Sequence, residues 1–305
     1  MKEDLIYEDT VSQDVYYRIA GHTIKVSMPE VDTDRVLPSF TDFSIRCATA
    51  DDPISRIVIS TGPSFVDLTK ATLRSDVSVT WGDRFRFYET ENHYITRVMN
   101  ENASAYWEMV SAKDFSESRI YAMEVSLLDS TVLSWLLMVT FGQAALLHNT
   151  ILIHASVVEK DGRGYAFLGK SGTGKSTHSN LWIAHIPGAT LLNDDNPAIR
   201  VEDDGIRVYG TPWSGKTPCY RNVGVKLQAL VRLRQAPVNQ LQLQKGKLAL
   251  LTVLPSCTAL RWNQTLYTAM MDMLVWLLPD VRVAQMDCLP NAEAAKICYK
   301  QIGNN

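Results

Sequence analysis

The chain has 305 residues, of which 46% are hydrophobic and 21% charged, as in folded globular proteins and unlike disordered ones. Its 30 Lys and Arg against 33 Asp and Glu leave a formal net charge of −3. The sequence therefore lacks the basic excess with which nucleic-acid-binding proteins neutralise phosphates, and we expect no nucleic-acid partner.

The cysteines and the apolar segments indicate a cytoplasmic protein. Five cysteines are widely spaced without a CxxC pair, which favours free thiols in a reducing compartment over disulfides or a zinc site. The first ten residues are acidic and lack the apolar core of a secretory signal. The uncharged stretch 130–147 is only at the lower length limit for a membrane span and contains polar residues. We predict a buried helix there, capped by Asp129 or Ser130, and no membrane association.

Alternation of apolar and polar residues dominates the chain before about residue 120. Alternating segments around residues 17–28, a hairpin of strands 77–81 and 84–88, and a strand at 94–98 are typical of β-structure. We attribute the aromatic residues of these segments to the core rather than to a ligand-binding face. Residues 1–118 are thus predicted to form a β-rich N-terminal domain, to which the sequence assigns no chemistry.

From about residue 119 helical and strand patterns alternate, which predicts a mixed α/β domain over residues 119–305. Strands are predicted at 151–158, 165–168, 189–193, 198–202, 206–209, 225–233 and 281–286. Helices are predicted at 130–147, 175–185, 247–254, 264–278 and from residue 291 onward.

Residues 169–176, Gly-Lys-Ser-Gly-Thr-Gly-Lys-Ser, match the phosphate-loop pattern G-x-x-x-x-G-K-[ST] at every fixed position. The glycines let backbone N–H groups point at phosphate oxygens, and the helix that follows adds its positive dipole end. Lys175 would reach the outer phosphates, and the Ser176 hydroxyl would ligate magnesium. The preceding apolar strand and the following helix favour a triphosphate site over a structural turn. The residues assigned to the nucleotide are Gly169, Lys170, Ser171, Gly172, Thr173, Gly174, Lys175, Ser176 and Thr177.

Two adjacent aspartates, Asp194 and Asp195, follow the next strand, and Asp194 lies 19 residues after Lys175. A right-handed crossover would place the end of that strand beside the phosphate loop. One carboxylate could then hold the metal that bridges the phosphates, while the other accepts a proton from the attacking hydroxyl. The alternative is a solvated turn, because 193–197 also has good turn residues.

Two further regions carry weaker signals. His154 lies among aliphatic residues in the predicted strand 151–158, where a lone histidine is more often structural than catalytic. The loop 210–221 contains two Pro and two Gly, and its only cations are Lys216 and Arg221. Such a loop could bring a cation to a phosphoryl group or could be a solvated turn. Trp213 within it is interpreted as a hydrophobic plug.

Together, His154-Ala-Ser, the phosphate loop through Thr177 and Leu-Leu-Asn-Asp-Asp195 resemble the HPr kinase/phosphorylase family and the related phosphoenolpyruvate carboxykinases. The resemblance covers about residues 120–305 and implies a P-loop domain of that fold. It implies that Asp194 is the general base that activates a serine hydroxyl and that Asp195, with Ser176, binds the metal. It also implies that His154 lies near the base and that Arg221 faces the phosphates.

Some residues depart from the family pattern. Ser176-Thr177 after the lysine is closer to the carboxykinase loop, and the glycine-rich signature that engages HPr is not recognisable around 210–215. The resemblance therefore implies kinase chemistry more strongly than HPr as the substrate. The carboxykinases are also much longer, and their oxaloacetate-binding residues have no counterpart here.

These features predict an ATP-dependent kinase that uses Mg²⁺, or Mn²⁺ in its place, and transfers the γ-phosphoryl group to a hydroxyl. The acceptor would be a serine of a protein or peptide, or a small molecule. Asp194 and His154 would act at the acceptor, and Lys175 with Arg221 or Lys216 would stabilise charge. The alternatives are a nucleotide-gated regulatory or assembly module with little turnover and, less strongly, a phosphoenolpyruvate carboxykinase-like activity. Assembly into a homo-oligomer is left open.

Overall fold

The computed structural model describes residues 12–47, 50–64, 66–78, 80–100, 105–122, 131–215 and 217–303. The chain divides into two compact units. The first holds the described residues up to Arg18 and those from Thr23 to Thr140, and the second holds Ile19–His22 and those from Phe141 onward. The domain boundary predicted at 118/119 falls inside a strand, Glu117–Ala122, of the first unit.

The first unit contains a nine-stranded sheet in the described part of the chain. Its strands are β1 (Ser12–Ile19), β2 (His22–Pro29), β3 (Ser44–Ile45), β4 (Ser55–Thr61), β5 (Thr72–Ser75), β6 (Phe85–Glu89), β7 (His93–Met99), β8 (Tyr106–Ala112) and β9 (Glu117–Ala122). Their spatial order is β3-β1-β2-β4-β9-β8-β7-β6-β5, and the sheet is mixed because β4 runs parallel to both β2 and β9. A short helix, α1 (Thr33–Val36), and a 3₁₀ turn, Pro38–Phe43, follow β2.

The described residues of segment 77–81 do not form the predicted strand. The strands that pair with β6 are β5 and β7, and Ser78 makes only an isolated bridge to Gly82. The Ser78 hydroxyl accepts hydrogen bonds from the backbone N–H groups of Thr80 (3.2 Å) and Trp81 (3.1 Å), a local turn that competes with strand pairing.

The prediction that aromatic residues of this unit belong to the core is confirmed for several of them. Tyr17, Phe85, Phe87 and Tyr94 are buried, and the rings of Phe87 and Tyr94 lie 5.3 Å apart on neighbouring strands. Cross-strand aromatic contacts of this kind stabilise antiparallel sheets.

The second unit also contains a nine-stranded mixed sheet among its described residues. Its strands are β10 (Thr150–Leu152), β11 (Ala155–Lys160), β12 (Arg163–Leu168), β13 (Thr190–Asp195), β14 (Ala198–Glu202), β15 (Gly205–Tyr209), β16 (Gly224–Gln235), β17 (Gln240–Gln244) and β18 (Arg282–Cys288). The order is β10-β14-β15-β16-β12-β11-β13, with β18 also paired to β16, and β17 paired to β18.

The helices after residue 130 agree with the sequence prediction. They are α2 (Thr131–Ala144), which continues as a 3₁₀ turn to His148, α3 (Lys175–His185), α4 (Gly246–Val253), α5 (Gln264–Leu277) and α6 (Ala292–Ile302). The side chains of Asn263 and Asn291 cap α5 and α6. Each accepts a hydrogen bond from the backbone N–H of the third residue of its helix. The caps predicted for α2 at residues 129 and 130 lie outside the described residues.

Two strand predictions in this unit need correction. The single strand predicted at 151–158 is two strands, because Ile153 and His154 leave the ladder and donate their backbone N–H groups to Pro197 O (3.1 Å) and Ser256 O (2.8 Å). The edge strand β17, Gln-Leu-Gln-Leu-Gln, was not predicted although its residues alternate strictly. The mixed α/β class predicted for this region is found, and both units are rich in strands.

Segment 131–148 has the length and the mean hydropathy, 1.4, of a helix that could cross a membrane. Within the protein 61% of it is buried, as is also usual for the core helix of a soluble protein. These properties do not test the cytoplasmic location, which stays a prediction.

The core of the second unit lies between the sheet and the helices α3 and α6. Trp182 of α3 is fully buried there, with its ring 4.9 Å from that of Tyr165 on β12 and 5.5 Å from that of Tyr299 on α6. This indole therefore joins three elements, two of which flank the loop 169–174.

Replacing Trp182 by alanine should lower the free energy of unfolding by about 3–5 kcal/mol, because it leaves a large cavity in this core. Denaturant titration followed by circular dichroism measures the loss. Trp276, 74% exposed, provides the control: Trp276→Ala should change stability by no more than about 0.5 kcal/mol. Equal effects of the two substitutions would contradict the described packing.

Candidate functional site

Three neighbouring strands of the second unit bring the loop 169–174 and the paired aspartates to one edge of the sheet. β11 is antiparallel to both β12 and β13, so β12 and β13 run in the same direction and end at the same edge. Ala155 at the start of β11 pairs with Leu168 on one side and with Asp195 on the other. A single strand, β11, thus separates Asp195 from the start of the loop that follows Leu168.

The backbone of the loop depends on glycine at two positions. Gly172 and Gly174 have φ angles of +79° and +101°, in the left-handed region that other residues rarely adopt. No atom lies within 4 Å of where a Cβ would be at either position, so the requirement comes from backbone conformation and not from crowding. Between them Thr173 donates its N–H to Lys170 O (3.1 Å), and α3 begins immediately after Gly174.

Lys175, the first residue of α3, is 9% exposed, and its ammonium group is surrounded by acceptors. Nζ lies 2.8 Å from His154 Nε2, 3.1 Å from Gly169 O and 3.4 Å from Lys170 O. An ammonium group has three N–H donors, and these three acceptors satisfy them. Burial lowers the pKa of Lys175, the charges of Asp195 and Asp194 oppose that shift, and the charge of Arg232 adds to it.

His154 connects this lysine to one of the aspartates. Its Nδ1 lies 2.9 Å from Asp195 Oδ1, while Nε2 faces the Lys175 ammonium. Because an ammonium can only donate, Nε2 accepts, and Nδ1 carries the proton that is donated to Asp195. The side chains of Lys175, His154 and Asp195 thus form a continuous hydrogen-bonded chain.

The other aspartate faces α3. Ser176 Oγ donates to Asp194 Oδ1 at 2.9 Å, and Asp194 is only 4% exposed, whereas the Asp195 side chain is 36% exposed. Adjacent residues of a strand point to opposite faces, which explains why the two carboxylates have different neighbours. On the same face as Asp194, Ser156 of β11 hydrogen-bonds Ser179 of α3 (2.7 Å) and holds the helix against the sheet.

The Ser176–Asp194 pair fits a magnesium ion. A hydroxyl and a carboxylate oxygen are ligands that Mg²⁺ prefers, and Mg²⁺ at nucleotide sites is usually held by one or two protein oxygens together with phosphate oxygens and water. Within the described ranges, no group of three or more His, Cys, Asp or Glu side chains is placed to hold a metal ion.

The segment that follows β15 fixes the backbone of the aspartates. Gly215 N donates to Asp194 O, and Ser214 forms an isolated bridge with Asp195. A Cβ on Gly215 would lie 2.8 Å from Asp194 O, so this close approach requires glycine. The position of Asp194 and Asp195 therefore depends on a segment about twenty residues further along the chain.

Asn193 and Trp213 hold the same segment in place. Asn193 Nδ2 donates to Thr211 O (3.2 Å) and Trp213 O (3.3 Å). Trp213 is 5% exposed and packs on Phe141 with 5.5 Å between ring centroids. The interpretation of this tryptophan as a hydrophobic plug fits its burial.

The structure does not bring Arg221, one of the two predicted cations of this segment, to Lys175. Arg221 lies at the opposite, N-terminal end of β13, where it donates to Leu191 O (2.7 Å) and Thr190 Oγ1 (3.3 Å). A guanidinium bonded to the start of a strand cannot also face groups at its end. Lys216 lies outside the described residues.

A different arginine, not selected from the sequence, stands beside the loop. Arg232 pairs with Leu168, the residue before the loop, in the parallel register of β16 with β12. Its guanidinium donates to Thr252 O (2.5 Å) and Ser256 Oγ (3.0 Å), and burial lowers its pKa. The sequence contains a signal that could have found Arg232. It is a cation near the end of the apolar strand predicted at 225–233, and that strand ends at the same edge as the loop.

Comparison with the models of known protein families finds no match for this chain, and comparison with curated proteins likewise finds none.

A second histidine at this edge gives a pH-dependent prediction. His178 of α3 is buried, its ring lies against Phe167, and its Nε2 accepts a hydrogen bond from Trp182 Nε1 (3.2 Å). Burial lowers the pKa of His178 to about 4, from an ordinary value near 6.5. The unfolded chain thus takes up a proton at a higher pH than the folded one.

The stability due to neutral His178 should be complete above pH about 6.5 and disappear as the pH falls toward 4. Between pH 6.5 and pH 4, the free energy of unfolding should fall by about 3 kcal/mol less in His178→Gln than in the wild-type protein. Urea titrations at a series of pH values measure it, with exposed His185→Gln as the control. Burial also lowers the pKa of His22 to about 3, so part of the pH dependence should remain in both variants. An unchanged pH dependence in His178→Gln would contradict the prediction.

Proposed function

We propose that this chain is a kinase that transfers the γ-phosphoryl group of ATP to a hydroxyl, in the manner of the HPr kinase/phosphorylase family that it resembles. One observation carries the proposal: two residues at the start of α3 are linked to the paired carboxylates at the end of β13. Lys175 contacts His154, which contacts Asp195. Ser176 hydrogen-bonds Asp194 directly. Phosphoryl transfer requires groups that bind phosphates next to groups that hold a metal and accept a proton.

The loop supplies the phosphate-binding part. Backbone N–H groups after Gly172 and Gly174 and the N-terminal end of α3 favour anions. Lys175 would exchange its bonds to His154 and the carbonyls of the loop for phosphate oxygens. Nucleotide binding would therefore release Nε2 of His154, while the hydrogen bond from Nδ1 to Asp195 can remain.

Ser176 and Asp194 would hold Mg²⁺, or Mn²⁺ in its place. When bound, such an ion neutralises phosphate charge and orients the transferred group. The contact between the two side chains, 2.9 Å, places a hydroxyl and a carboxylate oxygen close enough to share one ion.

Asp195 would then act as the general base, with His154 as its positioning partner. Its carboxylate is accessible, and it is oriented by Nδ1 of His154 and by Asn196 Nδ2 (2.8 Å). This assignment exchanges the roles that the family resemblance implies for Asp194 and Asp195. It rests on the difference between a buried carboxylate that is hydrogen-bonded to the serine of the phosphate loop and a partly exposed one that an acceptor can approach.

The acceptor is proposed to be a serine hydroxyl of a protein or peptide, or the hydroxyl of a small molecule. The regulatory-module alternative gains support from the Lys175–His154 contact, since nucleotide binding would have to break it and could thereby change the conformation of this edge. Among the described residues, no contact at this edge adds support for a carboxykinase activity.

Substituting each aspartate separately distinguishes the two assignments. Asp195→Asn should lower the rate of transfer by about 10²–10⁴ while nucleotide affinity changes little, because only the proton acceptor is lost. Asp194→Asn should raise the Mg²⁺ concentration needed for half-maximal activity by at least about tenfold. Asp204→Asn, in an exposed turn, serves as the control. The reverse pattern would restore the roles implied by the resemblance.

Transfer itself is tested by incubating the pure protein with γ-labelled ATP and Mg²⁺, with and without cell lysate. We expect acid-stable label on a serine or on a small hydroxyl compound, and none with Lys175→Met. Tight ATP binding without any transfer in lysate would contradict the kinase proposal and support the nucleotide-gated module.

A further inference from the structure

A cavity of about 610 Å³ opens beside the phosphate loop, on the side away from the aspartates. The turn 172–174 and the outer side of α3 form one wall, and the ends of β16 and β18 form the other. Most of its lining residues are apolar or small, such as Leu181, Ala236, Leu289 and Pro290, and Thr177, His178 and Gln235 add polar side chains. A volume of this size is typical of a pocket for a small organic ligand.

The pocket adjoins the residues proposed to bind phosphates. Ser176 turns its hydroxyl toward Asp194, whereas Thr177, the next residue of α3, lines the pocket. Consecutive residues of a helix point about 100° apart. A ligand bound across the start of α3 would therefore extend from Ser176 and Asp194 into the cavity. Phosphates at Lys175 and Ser176 would leave the rest of a nucleotide at the mouth of this cavity.

We propose that this cavity binds the nucleoside of the triphosphate, with its base between α3 and the segment 288–290. This inference rests on the proposed function, because it requires the phosphates to lie on the loop. A flat base would lie against Leu181 and Leu289, which offer hydrocarbon surface on opposite walls.

Several polar groups of the walls already have partners within the protein, among them Nε2 of His178, which accepts a hydrogen bond from Trp182 Nε1 (3.2 Å). Ala236 N donates to Cys288 O (3.2 Å), Leu289 N donates to Asn239 Oδ1 (2.8 Å), and Asn291 N donates to Leu289 O (3.0 Å). The side-chain amide of Gln235 is directed to Gly172 O (3.4 Å). Recognition through hydrogen bonds is what separates one base strongly from another, so this pocket should accept adenine and guanine with affinities within about tenfold.

Ala236→Trp tests the pocket because an indole there would fill the space proposed for the base. Titration calorimetry with ATP, GTP and inorganic tripolyphosphate, each with Mg²⁺, compares the wild-type chain with this variant. We expect the affinity for both nucleotides to fall by about 10- to 100-fold and that for tripolyphosphate to stay within about twofold. Val238→Trp, on the same segment but outside the cavity and 54% exposed, is the matched control and should bind all three as wild type does.

The outcomes separate this inference from the proposed function. If wild-type protein binds neither ATP nor tripolyphosphate, the proposed function fails. If it binds both equally, or if Ala236→Trp binds ATP as wild type does, the nucleoside site is wrong while the phosphate site stands. A preference of more than about 100-fold for one purine nucleotide would contradict the expectation that the pocket accepts adenine and guanine alike.

Cys288 provides a measurement that needs no substitution. This half-buried thiol lines the cavity, whereas Cys219, also half-buried, lies against Leu191 O on β13. Alkylation by iodoacetamide, quantified by peptide mass spectrometry, should be slowed at Cys288 by ATP or GTP but not by tripolyphosphate, and should be unchanged at Cys219. Equal protection of Cys288 by tripolyphosphate, or no protection by ATP, would overturn the proposal.

Discussion

The arrangement of this site depends on a buried ammonium group that must be fully hydrogen-bonded. Lys175 is mostly withdrawn from water, and a buried charge is stable only where acceptors surround it. The acceptors come from the loop that precedes α3 and from His154, which is itself tied to Asp195. Satisfying one lysine thus fixes the conformation of the loop, the tautomer of a histidine and the orientation of a carboxylate.

The sheet places these groups within reach of each other. β11 lies between β12 and β13, and the break at Ile153-His154 lets the histidine leave the ladder just before β11 begins. The Ser156–Ser179 contact holds α3 on the same face as Asp194. Since two adjacent strand residues point to opposite faces, Asp194 meets the serine of α3 while Asp195 meets the histidine.

This separation gives the two carboxylates different surroundings although they are neighbours in sequence. In the proposed function the buried carboxylate in contact with a hydroxyl would hold the metal ion, and the partly exposed one oriented by an imidazole would exchange a proton with a bound acceptor. Arg232 and Lys175 supply two positive charges to the same edge, which favours the binding of phosphates and balances the two aspartates.

The sequence by itself determined the glycine-rich loop 169–174, the helix α3 and the position of the aspartates at a strand end. Each depends on local residue types: glycines that permit left-handed backbone, and the strand–loop–helix order. Only the tertiary structure decided which residues join them. The break at His154 depends on backbone contacts with Pro197 and Ser256, and the carbonyls of β13 draw Arg221 away while strand register brings Arg232 close. Those contacts link residues distant in the chain, so no local pattern of side chains encodes them.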